Sequence, residues 1–395
     1  VTNAGKRAPL IGGGDFWALQ LDTNGEVVWE RTYGGTGSEE FWSVASVPGG
    51  GCLLGGVSSS TNNGTKTSGN FGGPDYWVVR IDASGNPLWD RSFGGAQIDR
   101  LSHVEALSSG GFLLCGYSSS DVSGNKSVPS RGGRDGWVVR LDPDGDIVWQ
   151  QVIGGTGDDE VSAAKELPDG GFLLAGSSDS PPGPDKNDGH HGLGDVWIVR
   201  LDAEGNKMWD RSYGGSVDEY THDMVLLPNG DAIVLATSLS GTSGNKTSPS
   251  RGGGATADAY VLRIDAKGDR VWEQTYGGSG VDRLLGGALS QGGLLMAGHS
   301  ASAPSGNKAS PRLGWDDFWL VRIDLDGGLL WETAATKRPT WWPGCRMATS
   351  WSPAISARST ARRRRCPCMA STTPTWRATP GINPASWRTA PIPFA

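Results

Sequence analysis

Five acids recur along the chain at one spacing: Glu39, Asp99, Asp159, Glu219 and Asp282 each follow, by ten residues, one of Trp29, Trp89, Trp149, Trp209 and Trp272. Hard cations take several carboxylate and carbonyl oxygens, so acids gathered at one mouth could hold Ca²⁺ or draw in a cationic ligand. Repetition favours a plainer role, in which each acid accepts N–H bonds from a nearby loop and fixes a crossover. Lys66, Lys126, Lys186 and Lys246 recur in polar loops on the same period and would set positive charge among those acids, in salt bridges or in contact with a ligand. No cofactor is expected beyond Ca²⁺.

Three departures from the period offer other chemistry. Asp188, His190 and His191 share one loop and present the donor types that Zn²⁺ or Ni²⁺ prefers, although adjacent side chains point apart. Trp42 and Trp315 lie outside the tryptophan register and are the candidates for exposed stacking platforms, where a sugar ring could lie. Catalysis needs a nucleophile, an acid and a base to converge, whereas nearly equivalent copies supply symmetry. The sequence has no G-x-S-x-G elbow, H-E-x-x-H or P-loop, and a non-enzyme is expected.

What must position these residues is a repeat. Trp29, Trp89, Trp149, Trp209, Trp272 and Trp331 are separated by 60, 60, 60, 63 and 59 residues, and each lies 14 after an Asp, at 15, 75, 135, 195, 258 and 317. Within one unit, the runs WVVRLD and DIVWQQV flank Asp142-Pro143-Asp144-Gly145, and EVSAAKEL and FLLAGSS flank Pro168-Asp169-Gly170-Gly171. Both are β-branched or aromatic runs joined by turn residues, giving two hairpins and four strands per 60 residues. Four strands make one propeller blade, whereas a β-solenoid repeats every 20 to 30 residues. The expected fold is therefore all-β, a propeller of four-stranded blades, six or seven when intact. Its blades are expected at about 39–93, 99–153, 159–213, 219–276 and 282–331, after a leading loop at 1–14 and a partial blade at 15–33.

Composition agrees. The 395 residues include 62 Gly and 18 Trp with 19% charged and 36% hydrophobic residues, too apolar for a disordered chain and without the long apolar run of a membrane span. Cys52 and Cys115 lie in the repeats and the other three cysteines follow them, so no disulfide framework is expected. Val1 shows no signal-peptide pattern, and the chain is read as processed or as a fragment.

The unit resembles NHL-type propeller repeats and, with one residue fewer in its D-x-x-G-x-x-x-W turn, the tryptophan-docking repeat of quinoprotein propellers. It is most similar to the roughly 60-residue repeats of large secreted bacterial proteins, whose S-G-N-K loops and Y-G-G triplets stand here at 123–126 and 243–246, and at 33–35 and 213–215. The resemblance covers residues 5–332. It implies a secreted or cell-surface location and carries no single activity. The long loops at roughly 60–74, 120–134, 180–194, 240–257 and 302–316 should emerge on one face with the Gly-Gly connections. That face is expected to bind a protein or glycan ligand, as a scaffold or lectin, with a glycan-active enzyme as the alternative. Nucleic acid is not expected as a partner.

From Thr333 onward there is no Asp or Glu, against 10 Lys and Arg, while the preceding residues carry 42 acids and 25 bases. A basic, Trp-bearing tail could bind an anionic polymer. Codon arithmetic gives another reading. Shifted one nucleotide earlier, 342–348 can read V-A-x-L-P-D-G, the echo of Leu167-Pro168-Asp169-Gly170, and 373–378 can read D-A-Y-L-A-R, close to 258–263. The tail at 333–395 is therefore expected to be frameshifted, non-native and disordered, and its Arg run and Cys366-x-Cys368 pair take no functional weight.

Overall fold

The computed structural model describes residues 6–336 apart from 184, 254 and 255. The reading of the tail as frameshifted falls outside them.

Every described strand pairs antiparallel with its chain neighbour. β1 (Phe16–Leu21) and β2 (Val27–Tyr33) form a two-stranded sheet. The first four-stranded sheet is β3 (Glu39–Ser46), β4 (Cys52–Ser58), β5 (Asp75–Ile81) and β6 (Pro87–Phe93). The second is β7 (Asp99–Ala106), β8 (Phe112–Ser118), β9 (Asp135–Leu141) and β10 (Ile147–Ile153). The third is β11 (Asp159–Glu166), β12 (Phe172–Ser178), β13 (Asp195–Leu201) and β14 (Lys207–Tyr213). The fourth is β15 (Glu219–Leu226), β16 (Ala232–Ser238), β17 (Asp258–Ile264) and β18 (Arg270–Tyr276). The fifth is β19 (Asp282–Ser290), β20 (Gly293–Ser300), β21 (Asp317–Asp324) and β22 (Leu329–Ala335). These are blades of a β-propeller, five complete and one represented by its outer hairpin. Among the described residues no helix is long and apolar enough to cross a membrane.

The turns explain the regularity. In the first hairpin the Asp22 carboxylate accepts the N–H groups of Asn24 at 2.8 Å and Glu26 at 2.9 Å, and Gly25 closes the turn at φ +82°. Asp82, Asp142, Asp202, Asp265 and Asp324 repeat the device, each followed by a glycine at positive φ three residues on.

Blades meet through aromatic contacts that step along the chain. Phe16 stacks on Trp77 at 4.6 Å between ring centroids, and Tyr76 on Trp137 at 4.8 Å. The register tryptophans make the outer contact: the rings of Trp29, Trp89, Trp149, Trp209 and Trp272 each cover the turn glycine of the next blade, Gly85, Gly145, Gly205, Gly268 and Gly327. A Cβ on Gly85 would lie 2.8 Å from Trp29 Cε3, so the close approach itself demands glycine. The indoles of Trp29, Trp149 and Trp272 donate to the carbonyls of Ala83, Ala203 and Leu325, which satisfies the polar edge of a ring that is otherwise packed away.

Candidate functional site

The Gly-Gly connections and the long loops emerge at the same end of the strands. Glu39, Ser58 and Asp75 form one rung across β3, β4 and β5, and the loop residue Asn63 accepts the N–H of Thr36 in the connection at 2.6 Å. Asn125 does the same for Gly94 at 2.9 Å and Asn245 for Gly214 at 3.0 Å.

All five recurrent acids lie beneath this face, each with 4% or less of its surface exposed. Each accepts a backbone N–H from the second glycine of the preceding connection: Gly35 to Glu39 at 2.9 Å, Gly95 to Asp99 at 2.7 Å, Gly155 to Asp159 at 2.8 Å, Gly215 to Glu219 at 2.8 Å and Gly278 to Asp282 at 2.7 Å. Ser60, Ser120, Ser180 and Ser302 add hydroxyl bonds to Glu39, Asp99, Asp159 and Asp282, and Ser238 adds one to Glu219. The partner acids at the loop ends hold the loops themselves, as where Asp75 accepts the N–H of Phe71 and Asp317 that of Leu313.

Lys66, Lys126, Lys186 and Lys246 are buried to the same degree. Lys66 Nζ donates to the carbonyls of Ser68 and Gly69, both at 2.8 Å, and to Ser92 Oγ at 2.7 Å. Burial pushes its pKa down to about 8 against the pull of Asp90, Asp75 and Glu39. Asp75 is driven the other way, up to about 7, first by burial and then by the neighbouring Asp99 charge. The two carboxylates converge on Gly94, whose Cβ, if it had one, would lie 2.1 Å from Asp75 Oδ1 and 2.8 Å from Asp99 Oδ2. The built-in cation of each junction is thus a lysine, and the acids, lysines and glycines form an internal network that locks loop to connection. The five acids and four lysines keep 4% or less of their surface exposed, which places them beneath the face and not on it.

The positions that break the repeat lie on the inner strands. Each inner strand carries a one-residue bulge, at Trp42, Ser102, Ser162, His222 and Leu285, so four residue types occupy five equivalent positions. Around the first of them is a polar groove of about 260 Å³ lined by Trp42, Arg100, Ser102, Tyr117, Arg134 and Glu160. Charges alternate across it. Arg100 pairs with Glu40 at 3.1 Å, Ser102 donates to Glu160 at 3.0 Å, and Arg134 pairs with Asp158 at 2.7 Å while lying over the Tyr117 ring at 5.1 Å. Farther along the inner strands Glu105 joins His103 at 3.4 Å and Lys165 at 2.8 Å. Burial raises the Glu105 pKa, but the His103 bond and the Lys165 charge outweigh it and hold the carboxyl low. Arg100, Arg134, Glu160, His103, Glu105 and Lys165 were not singled out from sequence. The available signal was their departure from the repeat.

The structure separates the two off-register tryptophans. Trp315 is 89% exposed on a long loop, with the Arg312 guanidinium 5.7 Å from its ring, and has the open face expected of a stacking platform. Trp42 is half-buried, and the Arg100 guanidinium lies 4.3 Å from its ring, because an indole at the bulge of an inner strand faces the groove and meets the charge of the next blade. In the histidine loop, both Asp188 oxygens accept backbone N–H groups, from Gly189 at 3.1 Å and Ser212 at 2.7 Å. His190 Nδ1 meets the Gly192 carbonyl at 2.9 Å, and His191 uses its backbone N–H on Asp195. Among the described residues no three His, Cys, Asp or Glu side chains converge as a metal site.

No family model matches the chain. It is 24% identical over 369 residues to the regulatory protein FlaEY of Caulobacter vibrioides, covering 83% of this chain and 37% of that one, so the chain spans little more than a third of that relative's length. Similar solved structures include a protein of unknown function from Bacteroides caccae (12% identity, 82% of this chain and 94% of that one, TM-score 0.41). The WD40 domain of Neurospora crassa Pan2 is another (11% identity, 70% and 65%, TM-score 0.40). A third is the apocarotenoid oxygenase of Synechocystis (12% identity, 85% and 72%, TM-score 0.41).

Proposed function

We propose that this chain is a non-catalytic binding propeller that takes a protein segment on its long-loop face, with the groove between Arg100, Arg134 and Glu160 as the contact. One observation carries the reading: the repeated acids and lysines are buried inside the junctions, whereas Arg100, Arg134 and Glu160 line an asymmetric groove of both signs beside Trp42 and Tyr117. Arg100 and Arg134 keep 36% and 48% of their side-chain surface exposed, enough to exchange Glu40 and Asp158 for a ligand's carboxylates. The regulatory role named for the Caulobacter relative supports a binding rather than a chemical function. A secreted or cell-surface setting, implied by the repeat resemblance, belongs to the same proposal.

The exposed ring of Trp315 favours a second reading, a glycan stacked on that loop. Parallel peptide and glycan arrays separate the two. Retention of acidic or mixed-charge peptides that weakens on R134A supports the groove, and retention of a glycan that weakens on W315A supports the lectin. Turnover of a bound glycan that one carboxylate substitution abolishes would overturn both.

A further inference from the structure

The five blade junctions share one knob-and-socket contact, and the chain carries one further knob and one further socket of the same kind. At each junction a register tryptophan covers a turn glycine of the next blade. The five covered glycines, Gly85, Gly145, Gly205, Gly268 and Gly327, are buried, and their tryptophans, from Trp29 to Trp272, are partly or mostly shielded. Trp331 of β22 is the sixth tryptophan, and it is 43% exposed. Gly25 of the first hairpin is the sixth turn glycine. It has the same left-handed backbone, φ +82°, yet it is exposed and a Cβ built on it meets nothing within 4 Å.

The apolar surroundings of both halves tell the same story. Leu320 of β21 is 39% exposed, whereas Val78, Val138, Ile198 and Val261 at the same strand position are fully buried. On the socket side Leu21 is 50% exposed, whereas its equivalents Ile81, Leu141, Leu201, Ile264 and Ile323 are at most 1% exposed. Ile81 shows what such a residue does, since it packs in one cluster with Trp29 and Tyr33 of the preceding blade. Knob and socket, each with its leucine, are therefore built to the pattern of the five made junctions, and no other described residue fills them.

We propose that Trp331 of one copy docks on the Asp22–Gly25 turn of a second copy, with Leu320 against Leu21 and the Trp331 indole donating to the Thr23 carbonyl, the counterpart of Ala83, Ala203 and Leu325. The two surfaces differ, so the contact is heterologous: each copy keeps an open knob at one end and an open socket at the other, and association runs head to tail. The second copy is the occupant because the socket matches this repeat's own tryptophan, glycine and carbonyl spacing.

Sedimentation velocity on the full chain up to ~100 µM tests this, with W331A to remove the knob and G25N to fill the socket, asparagine being tolerant of positive φ. Both positions are exposed, so the thermal transitions of the variants should stay near that of the unaltered chain. The expected result is concentration-dependent association of the unaltered chain and at least ~10-fold weaker association of each variant alone. An equimolar mixture should give one-to-one dimers that grow no further, because the knob of G25N finds the socket of W331A. A monomeric unaltered chain, as closure of Trp331 on the Gly25 turn of its own chain would give, overturns the proposal. So does association that survives both substitutions, or a mixture that stays monomeric.

Discussion

Trp29 and Gly85, 56 residues apart, meet so closely that the indole ring leaves no room for a methyl group, with the Trp29 Nε1–H donating to the Ala83 carbonyl at 3.0 Å. The contact is the unit from which this molecule is assembled, since it recurs at every described junction between blades. It binds the last strand of one blade to the outermost turn of the next, and so converts a string of hairpins into stacked sheets.

Gly85 and Gly25 share the left-handed backbone and differ only in what covers them. Alanine at Gly25 should therefore cost the backbone strain alone, about 1 kcal/mol. Alanine at Gly85 should cost that strain plus a forced shift of the Trp29 ring, roughly 2–4 kcal/mol in all. Urea unfolding of G85A and G25A measures the difference, and equal losses would show that the ring yields freely.

Removal of a buried lysine leaves its acids without their cation. K66M also strips the carbonyls of Ser68 and Gly69 and the Ser92 hydroxyl of their donor, and should lose roughly 1–3 kcal/mol near neutral pH, the usual cost of leaving buried polar groups unpaired. The loss should shrink at pH 5, where Asp75 is protonated because its pKa stands at about 7. Chemical denaturation at the two pH values checks both statements.

Asp75 also gives the molecule a pH slope of defined sign. Its folded pKa of about 7 lies above the ordinary 3.8, so the carboxyl binds its proton more tightly folded than unfolded. Its contribution to stability is fully present below about pH 3.8 and is lost as the pH rises through about 7. D75N, which carries no titrating group, should flatten that part of the profile, with its stability deficit smallest above pH 7. Denaturant midpoints taken between pH 4 and pH 8 read this out.

One blade lacks a bond that the others make. Trp77 and Trp197 donate to Asp90 and Asp210 at 2.9 and 3.1 Å, and Trp319 to Glu332 at 2.7 Å, but the equivalent of these acids beside Trp137 is Gln150, and the buried Trp137 indole N–H meets no acceptor. Q150E should supply that acceptor and raise stability by about 1 kcal/mol. A lower thermal midpoint would show that the Gln150 bond to the Asn125 carbonyl, at 3.0 Å, matters more.

Arg100 serves the groove and not the core. R100A removes an exposed pair with Glu40 and the cation over Trp42, which together should change stability by less than about 1 kcal/mol. Affinity for a mixed-charge peptide ligand should fall at least ~10-fold. Calorimetry on ligands from the peptide array checks the second figure, and unchanged affinity would place the contact elsewhere on the face.

The repeat itself was legible in the sequence because every copy needs the same local chemistry. An Asp two and four residues ahead of the N–H groups it caps, a glycine at positive φ and alternating apolar residues specify each hairpin by short-range forces, and six copies of Asp15 to Trp29 repeat the signal until it is unmistakable. The same regularity pointed to Glu39 as an acceptor of loop N–H bonds, but not to the burial of Glu39 or of Lys66. Spacing placed acid and lysine on one face, but only packing decided that both are sealed beneath it, since burial depends on the loop folding back over strand ends that are distant in sequence. Trp42 shows the limit most plainly: its position off the register was visible at once, whereas the arginine over its ring comes from the next blade, 58 residues away, and is set by how one twisted sheet leans on another. Local rules wrote the blades, and the contacts between blades, which join residues about sixty apart, determined which charges were buried and which stayed exposed.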